Sequence, residues 1–88
     1  MKEPAIDRSD EIAERVTRFV TTQLVPEAPG ALSPDTTLFG LVDSVGFMEL
    51  LSFLEDEFTI EMDHVDIDEE NLRTVRTIAQ LVVRKTEG

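Results

Sequence analysis

The residue pair with the clearest chemical potential in this chain is Asp43-Ser44, where a loop with few polar side chains ends and an amphipathic stretch begins. A serine at the start of a helix exposes its hydroxyl, and the first backbone N–H groups of the helix lack partners. These groups and the helix dipole favour an anion at this position. Ser44 is therefore our candidate site for a covalently attached anionic group, and an ordinary helix cap is the structural alternative.

Nucleophilic catalysis by Ser44 itself is not favoured. A serine nucleophile needs a base, and the one histidine, His64, stands in an acidic loop where nothing in the sequence holds it against Ser44. The chain has no cysteine and no glycine-rich phosphate loop. We therefore predict that the protein is not an enzyme.

A short acidic run offers a weak metal motif. Asp66, Asp68 and Glu70 resemble the start of a calcium loop in their spacing. Asn71 and Thr77 stand where such a loop needs a glycine and a bidentate glutamate. The run is better interpreted as a solvated face with a helix cap, and we predict no metal site.

The charge of the chain narrows its partners. Eight Lys and Arg stand against nineteen Asp and Glu, which gives a net charge of −11 over 88 residues. Nucleic acids and anionic membrane surfaces attract basic proteins, so we expect neither as a partner, whereas proteins with basic patches are favoured. The segment Met1–Ala5 lacks the apolar region of a signal peptide, and no apolar run approaches a membrane span. We expect a cytoplasmic protein.

Hydrophobic periodicity and capping residues predict an all-α fold, a small four-helix bundle with three longer helices and one short one. The helices should cover about 9–25, 44–57, 66–72 and 75–85 within a single domain, 1–88. Pro26 should end the first helix, Asp66 with Glu69 should cap the short one, and Thr74 should cap the last. Because no spare apolar stripe is visible, we expect a monomer.

The second predicted helix has two different faces. One broad apolar stripe should face the core, and it consists of Phe47, Leu50, Leu51, Leu54 and Phe58. Val45 and Met48 fall outside this stripe and leave an apolar spot beside Ser44, with Glu49, Glu55 and Asp56 around it. The long connection over 26–43 leads into this region, and loops of such length are often functional.

Two blocks of the chain resemble the acyl carrier protein family. The first runs from Asp43-Ser44-Val45 through Met48-Glu49-Leu50 to Leu54-Glu55-Asp56-Glu57-Phe58. There the family shows Asp-Ser-Leu, a valine-glutamate-leucine-like step, and then a leucine, acids and a phenylalanine. The second block, Thr74-Val75 followed by Ile78-Ala79, is similar to the family's last helix. The resemblance covers about residues 9–83, and the size, acidity and long loop agree with it.

The resemblance implies a bundle of acyl-carrier-protein type and a carrier function. A phosphopantetheinyl transferase would attach 4′-phosphopantetheine from coenzyme A to Ser44, and the terminal thiol would hold an acyl or aminoacyl thioester. An adenylate-forming ligase or an acyltransferase would load the cargo, and downstream synthase or transferase enzymes would consume it. The residues that the resemblance implies in partner recognition are Asp43, Val45, Met48, Glu49, Glu55 and Asp56.

The chain departs from the commonest fatty-acid carriers in several places. Gly46 stands where many members have an acid or a polar residue, Phe47 and Phe53 are bulkier, and the segment 63–71 is longer. Together with the run Asn71-Leu72-Arg73-Thr74-Val75-Arg76, these departures favour a discrete carrier of a polyketide, nonribosomal peptide or other specialised biosynthetic pathway. A housekeeping fatty-acid carrier is the alternative within the family, and an unmodified acidic helical interaction module is the alternative of another class.

Overall fold

The computed structural model describes residues 8–25 and 32–87, and these fold into three α-helices without a β-strand. Helix α1 spans Arg8–Phe19 and continues into a π-helical turn over Val20–Leu24. Helix α2 spans Ser44–Phe58 and helix α3 spans Val75–Glu87. The all-α fold predicted from the sequence is confirmed.

The core between the helices is aliphatic. Helix α1 packs most extensively against α3. Each helix contributes buried residues at intervals of three or four, because that spacing places side chains on one face of a helix. The first helix and its π-helical turn contribute Ile12, Val16 and Val20, α2 contributes Leu50 and Leu54, α3 contributes Val75, Ile78, Ala79 and Val82, and the connections add Leu38, Val42 and Leu72.

The end of the first helix differs from a regular α-helix. The N–H of Val25 donates to the carbonyl of Val20 at 2.8 Å, which closes a π-type turn. This turn fills the last part of the range 9–25 that we predict for the first helix. Pro26, which should end it, lies outside the described residues, as does the rest of 26–31.

The described part of the long connection is fastened to the start of α3. The guanidinium of Arg76 donates from Nε to Asp35 Oδ1 at 2.7 Å. This hydrogen bond lowers the pKa of Asp35 and raises the pKa of Arg76. Three residues after Asp35, the N–H of Leu38 donates to the carbonyl of Arg73 at 2.7 Å, and the side chain of Leu38 is fully buried.

The short helix that we predict over 66–72 is not confirmed, because this segment forms a series of turns. The carboxylate of Asp66 accepts the N–H of Asp63 at 2.9 Å, and the carboxylate of Asp68 accepts the N–H of Asn71 at 2.8 Å. Aspartate side chains that take local N–H groups in this way compete with the carbonyls that a helix would use. The expected Asp66–Glu69 capping pair is therefore replaced by two aspartate-centred turns.

An ion pair ties these turns to α3. Lys85 Nζ lies 2.6 Å from Asp66 Oδ2 and 3.9 Å from Asp63 Oδ2. The hydrogen bond between Lys85 and Asp66 lowers the pKa of Asp66 and raises that of Lys85. Leu72 is buried at the end of this segment, whereas Ile67 remains 45% exposed.

Candidate functional site

The start of α2 is built around the carboxylate of Asp43. Asp43 has extended backbone geometry and its Oδ1 accepts the N–H of Gly46 at 2.8 Å. Its carbonyl accepts the N–H of Phe47 at 2.9 Å. These are the two bonds of an N-cap residue, for which aspartate is among the preferred types. The cap of α2 is therefore Asp43, and Ser44 is the first residue of the helix itself.

Ser44 is exposed at this helix start, and the preceding loop fixes its position. Gly40 has a φ of 96°, a left-handed conformation that favours glycine. The turn brings Val42 back so that its N–H donates to the carbonyl of Leu38 at 2.9 Å. Because Leu38 and Val42 are both buried, the backbone that enters Asp43 and Ser44 is anchored in the core.

A groove of about 570 Å³ opens beside Ser44, between α2 and the turns that precede α3. The ring centroids of Phe39 and Phe47 lie 5.1 Å apart in it, with the ring planes tilted by 30°. The groove is lined mainly by apolar side chains, with two carboxylates at one side, and its residues are Phe39, Ser44, Phe47, Met48, Leu51, Ile67, Asp68, Glu69 and Leu72. Any group attached to Ser44 would begin at the edge of this groove.

At about 100° per residue, the recognition candidates within α2 fall within an arc of about 140° that begins at Ser44. Val45 is 63% exposed and Met48 is 67% exposed, so the expected apolar spot beside Ser44 is present on the surface. Glu49 and Asp56 are also exposed. This side of α2 therefore presents two apolar side chains between carboxylates.

Two of the recognition candidates also have structural contacts. Asp43 caps α2, as described above. Glu55 is half-buried, and its Oε2 accepts the N–H of Met62 at 2.9 Å, while its carbonyl accepts the N–H of Thr59. Thr59 adopts a left-handed conformation with a φ of 54° and terminates α2. Glu55 therefore holds the chain where it leaves the helix, a contact that the sequence did not indicate.

The sequence also raised two other chemistries, a histidine base and a metal-binding acidic run. His64 is exposed within the turns that follow α2. Among residues 8–25 and 32–87, no group of three or more histidine or carboxylate side chains is arranged to hold a metal ion. In the same two stretches, no helix has the length and apolar content needed to cross a bilayer.

The sequence did not indicate the close contact that Gly46 makes with the preceding loop. The sequence showed only an unusual glycine in the first turn of a helix, where glycine is unfavourable. In the structure Gly46 is buried and its α-carbon faces Val42 and Asp43. The departure from the common pattern at this position was the available signal, but the neighbour that explains it comes from the folded loop.

A comparison of the chain with models of protein families gives a match. A family model described as "Phosphopantetheine attachment site" matches residues 20–82, well over half of the chain. The matched region begins in the π-helical turn, includes Asp43-Ser44 and all of α2, and ends in α3. A comparison with curated protein sequences found no match. The chain therefore belongs to the phosphopantetheine attachment site family, and it is a non-catalytic carrier protein that receives a covalent 4′-phosphopantetheine group.

Proposed function

We propose that Ser44 is the attachment residue and that the chain carries acyl or aminoacyl groups as thioesters on the attached arm. The observation that carries this proposal is the exposed Ser44 at the first position of α2, inside the region that matches the family. A phosphate diester at this position lies beside the unpartnered N–H groups of the first helical turn. The helix dipole stabilises an anion at an exposed site by about 0.3–1 kcal/mol. The start of α2 therefore tolerates a covalently attached anion but would not bind a free one tightly.

The attachment step needs only a nucleophilic oxygen from this chain. The oxygen of Ser44 forms a bond to the phosphorus that carries the pantetheine of coenzyme A, the bond from that phosphorus to the bridging oxygen breaks, and adenosine 3′,5′-bisphosphate leaves. The hydroxyl proton passes to a base of the transferase, and no atom changes oxidation state. The thiol at the end of the arm then supplies the thioester chemistry that a chain without cysteine lacks.

The exposed side of α2 is the proposed docking surface for the enzymes that modify, load and unload the carrier. Val45 and Met48 offer apolar contact close to Ser44, and Glu49 and Asp56 offer carboxylates to basic patches. Charge complementarity of this kind speeds encounter and orients the partners. The partners that we propose are a phosphopantetheinyl transferase, an adenylate-forming ligase or an acyltransferase, and downstream synthase or transferase enzymes.

The pathway that we propose is a specialised one, of the polyketide, nonribosomal peptide or a related kind. Support comes from the departures from the commonest fatty-acid carriers, namely Gly46, the bulky Phe47 and Phe53, and the long turn segment 63–71. A housekeeping fatty-acid carrier is the second candidate, because the groove beside Ser44 has an apolar lining that suits an alkyl chain.

A loading experiment separates these two pathways. The phosphopantetheinylated protein is offered to a set of fatty-acid elongation enzymes and, separately, to adenylate-forming ligases with a panel of amino and carboxylic acids. We expect thioester formation with a ligase and no efficient growth to long chains, both followed by intact mass. Smooth extension to long acyl chains would instead assign the housekeeping role.

A further inference from the structure

We propose that Gly46 is a positioning residue for the modification of Ser44, an inference that rests on the function proposed above. Gly46 is buried in the first turn of α2, and its N–H donates to the capping carboxylate of Asp43. An ideal Cβ at this position would lie 2.7 Å from Cγ1 of Val42 and 3.2 Å from Oδ1 of Asp43. Since real Cβ atoms essentially never approach closer than 3.0 Å, any side chain here must displace a neighbour.

The neighbour that must move is poorly able to do so. Val42 is only 6% exposed, and its β-branched side chain has little rotamer freedom. Its backbone N–H donates to the carbonyl of Leu38 at 2.9 Å, and the N–H of Leu38 donates to the carbonyl of Arg73 at 2.7 Å. Val42 is therefore tied through Leu38 to the segment that begins α3. On the other side, the helix that contains Gly46 is anchored by Leu50.

The displacement would act on the residues between the two contacting positions. Three residues lie between Val42 and Gly46 in the chain, namely Asp43, Ser44 and the exposed Val45. Pushing Val42 and Gly46 apart stretches the bond from Gly46 N–H to Asp43 Oδ1 and turns the start of α2. Gly46 thus lets the loop close on the helix, and this closure holds the Ser44 hydroxyl where a transferase meets it.

Helix propensity alone predicts the opposite effect of Gly46→Ala on stability, so an experiment can separate the two explanations. Alanine is a better helix former than glycine, so propensity alone makes Gly46→Ala stabilising. Crowding against Val42 makes the same substitution destabilising, and it also misplaces Ser44. A displacement of about 1 Å at a reacting group can lower a rate by up to about 100-fold.

The experiment is a double-mutant cycle with Gly46→Ala, Val42→Ala and the two combined, and with Gln80→Ala on α3 as an exposed control away from the proposed docking surface. The thermal unfolding midpoint and the initial rate of phosphopantetheinylation by a broad-specificity transferase are measured for each. We expect Gly46→Ala to lower the midpoint and to slow modification about tenfold or more. In the Val42→Ala background the same substitution should no longer lower the midpoint or slow modification, because Cγ1 of Val42 is gone.

Two results would overturn the inference. The first is a Gly46→Ala protein with a raised midpoint and the modification rate of the wild type. The second is an equal loss of rate from Gly46→Ala with and without Val42→Ala, which would place Gly46 in direct contact with the transferase. A wild-type protein that is never modified would refute the function proposed for Ser44 separately, because the unfolding midpoints test the Gly46–Val42 contact in the unmodified protein.

Discussion

At the scale of single residues, the helix cap and the candidate attachment hydroxyl belong to different residues, Asp43 and Ser44. If a serine were the N-cap, its hydroxyl oxygen would accept a hydrogen bond from an N–H group of the first turn. Here the carboxylate of Asp43 accepts the N–H of Gly46, and Ser44 occupies the next position with an exposed side chain. The capping function and the proposed attachment function are therefore on adjacent residues, and a covalent bond to the Ser44 oxygen would remove no capping bond from the helix.

This division predicts how Asp43 responds to substitution. Asp43→Ala should lower the free energy of unfolding by about 0.5–2 kcal/mol, because the N–H of Gly46 loses its acceptor. Asp43→Asn should lower it less, since asparagine caps helices about as well as aspartate. Denaturant unfolding monitored by circular dichroism gives both values. Equal losses in the two variants would show that the charge of Asp43, rather than the cap, stabilises α2.

Sequence reasoning reached Ser44 but not the residues that position it. Ser44 stands out as the candidate because the Asp-Ser pair, the apolar stripe and the acids around Val45 and Met48 are all local in sequence. The close approach of Gly46 to Val42 could not be predicted, because it depends on how the loop returns to Leu38. Contacts between a loop and a helix leave no periodic signal.

At the scale of elements, the difference between local and long-range contacts explains which helices could be predicted from the sequence. Helices α2 and α3 begin next to residues that cap them through their side chains, Asp43 and Thr74. Their apolar spacing is regular, so local sequence and packing agree. The π-helical turn at Val20–Leu24 is different: the hydroxyls of Thr21 and Thr22 donate to carbonyls one turn back, at Thr17 and Arg18, and such bonds compete with regular helix geometry.

The predicted short helix was wrong for a related reason. The sequence predicts that Asp66 caps a helix, but the carboxylates of Asp66 and Asp68 each accept a nearby N–H within a turn. Lys85, nineteen residues from Asp66, then holds these turns against α3. An ion pair at that separation in sequence cannot be inferred from the pattern around Asp66. The segment therefore has a defined place in the fold without helical structure.

The Lys85–Asp66 pair makes stability depend on pH in a defined direction. The pKa of Asp66 is lowered by the hydrogen bond from Lys85, so its contribution is present above the ordinary value of 3.8 and is lost as pH falls through the lower value of the folded state. The pKa of Lys85 is raised, so its contribution is present below 10.5 and is lost as pH rises through the higher folded value.

We therefore expect Lys85→Met to lower the unfolding midpoint at neutral pH and to have a smaller effect in strong acid, where Asp66 is protonated. Thermal unfolding across the pH range measures this difference. Arg18→Met is the control, because it removes one positive charge from an exposed side chain of α1 whose partner is Glu14 rather than Asp66. If both variants lost the same stability at every pH, net charge rather than the ion pair would be the cause.

At the scale of the whole molecule, the net charge of −11 governs encounter with partners. Exposed carboxylates on the Ser44 side of α2 attract basic surfaces over distances that salt shortens. The rate of phosphopantetheinylation at low substrate concentration should therefore fall as ionic strength rises. Neutralising Glu49 and Asp56 as Glu49→Gln and Asp56→Asn should weaken this salt dependence more than Glu14→Gln on α1. A salt-independent rate would contradict electrostatic docking through this side of α2.

The central claim is that Ser44 is the residue that carries the phosphopantetheine arm. The most direct test is the intact mass of the protein after incubation with coenzyme A and a broad-specificity phosphopantetheinyl transferase, compared for the wild type, Ser44→Ala and Ser52→Ala. We predict a gain of one phosphopantetheinyl group in the wild type and in Ser52→Ala, and no gain in Ser44→Ala with its helical circular dichroism unchanged. Modification of a folded Ser44→Ala protein would contradict the account.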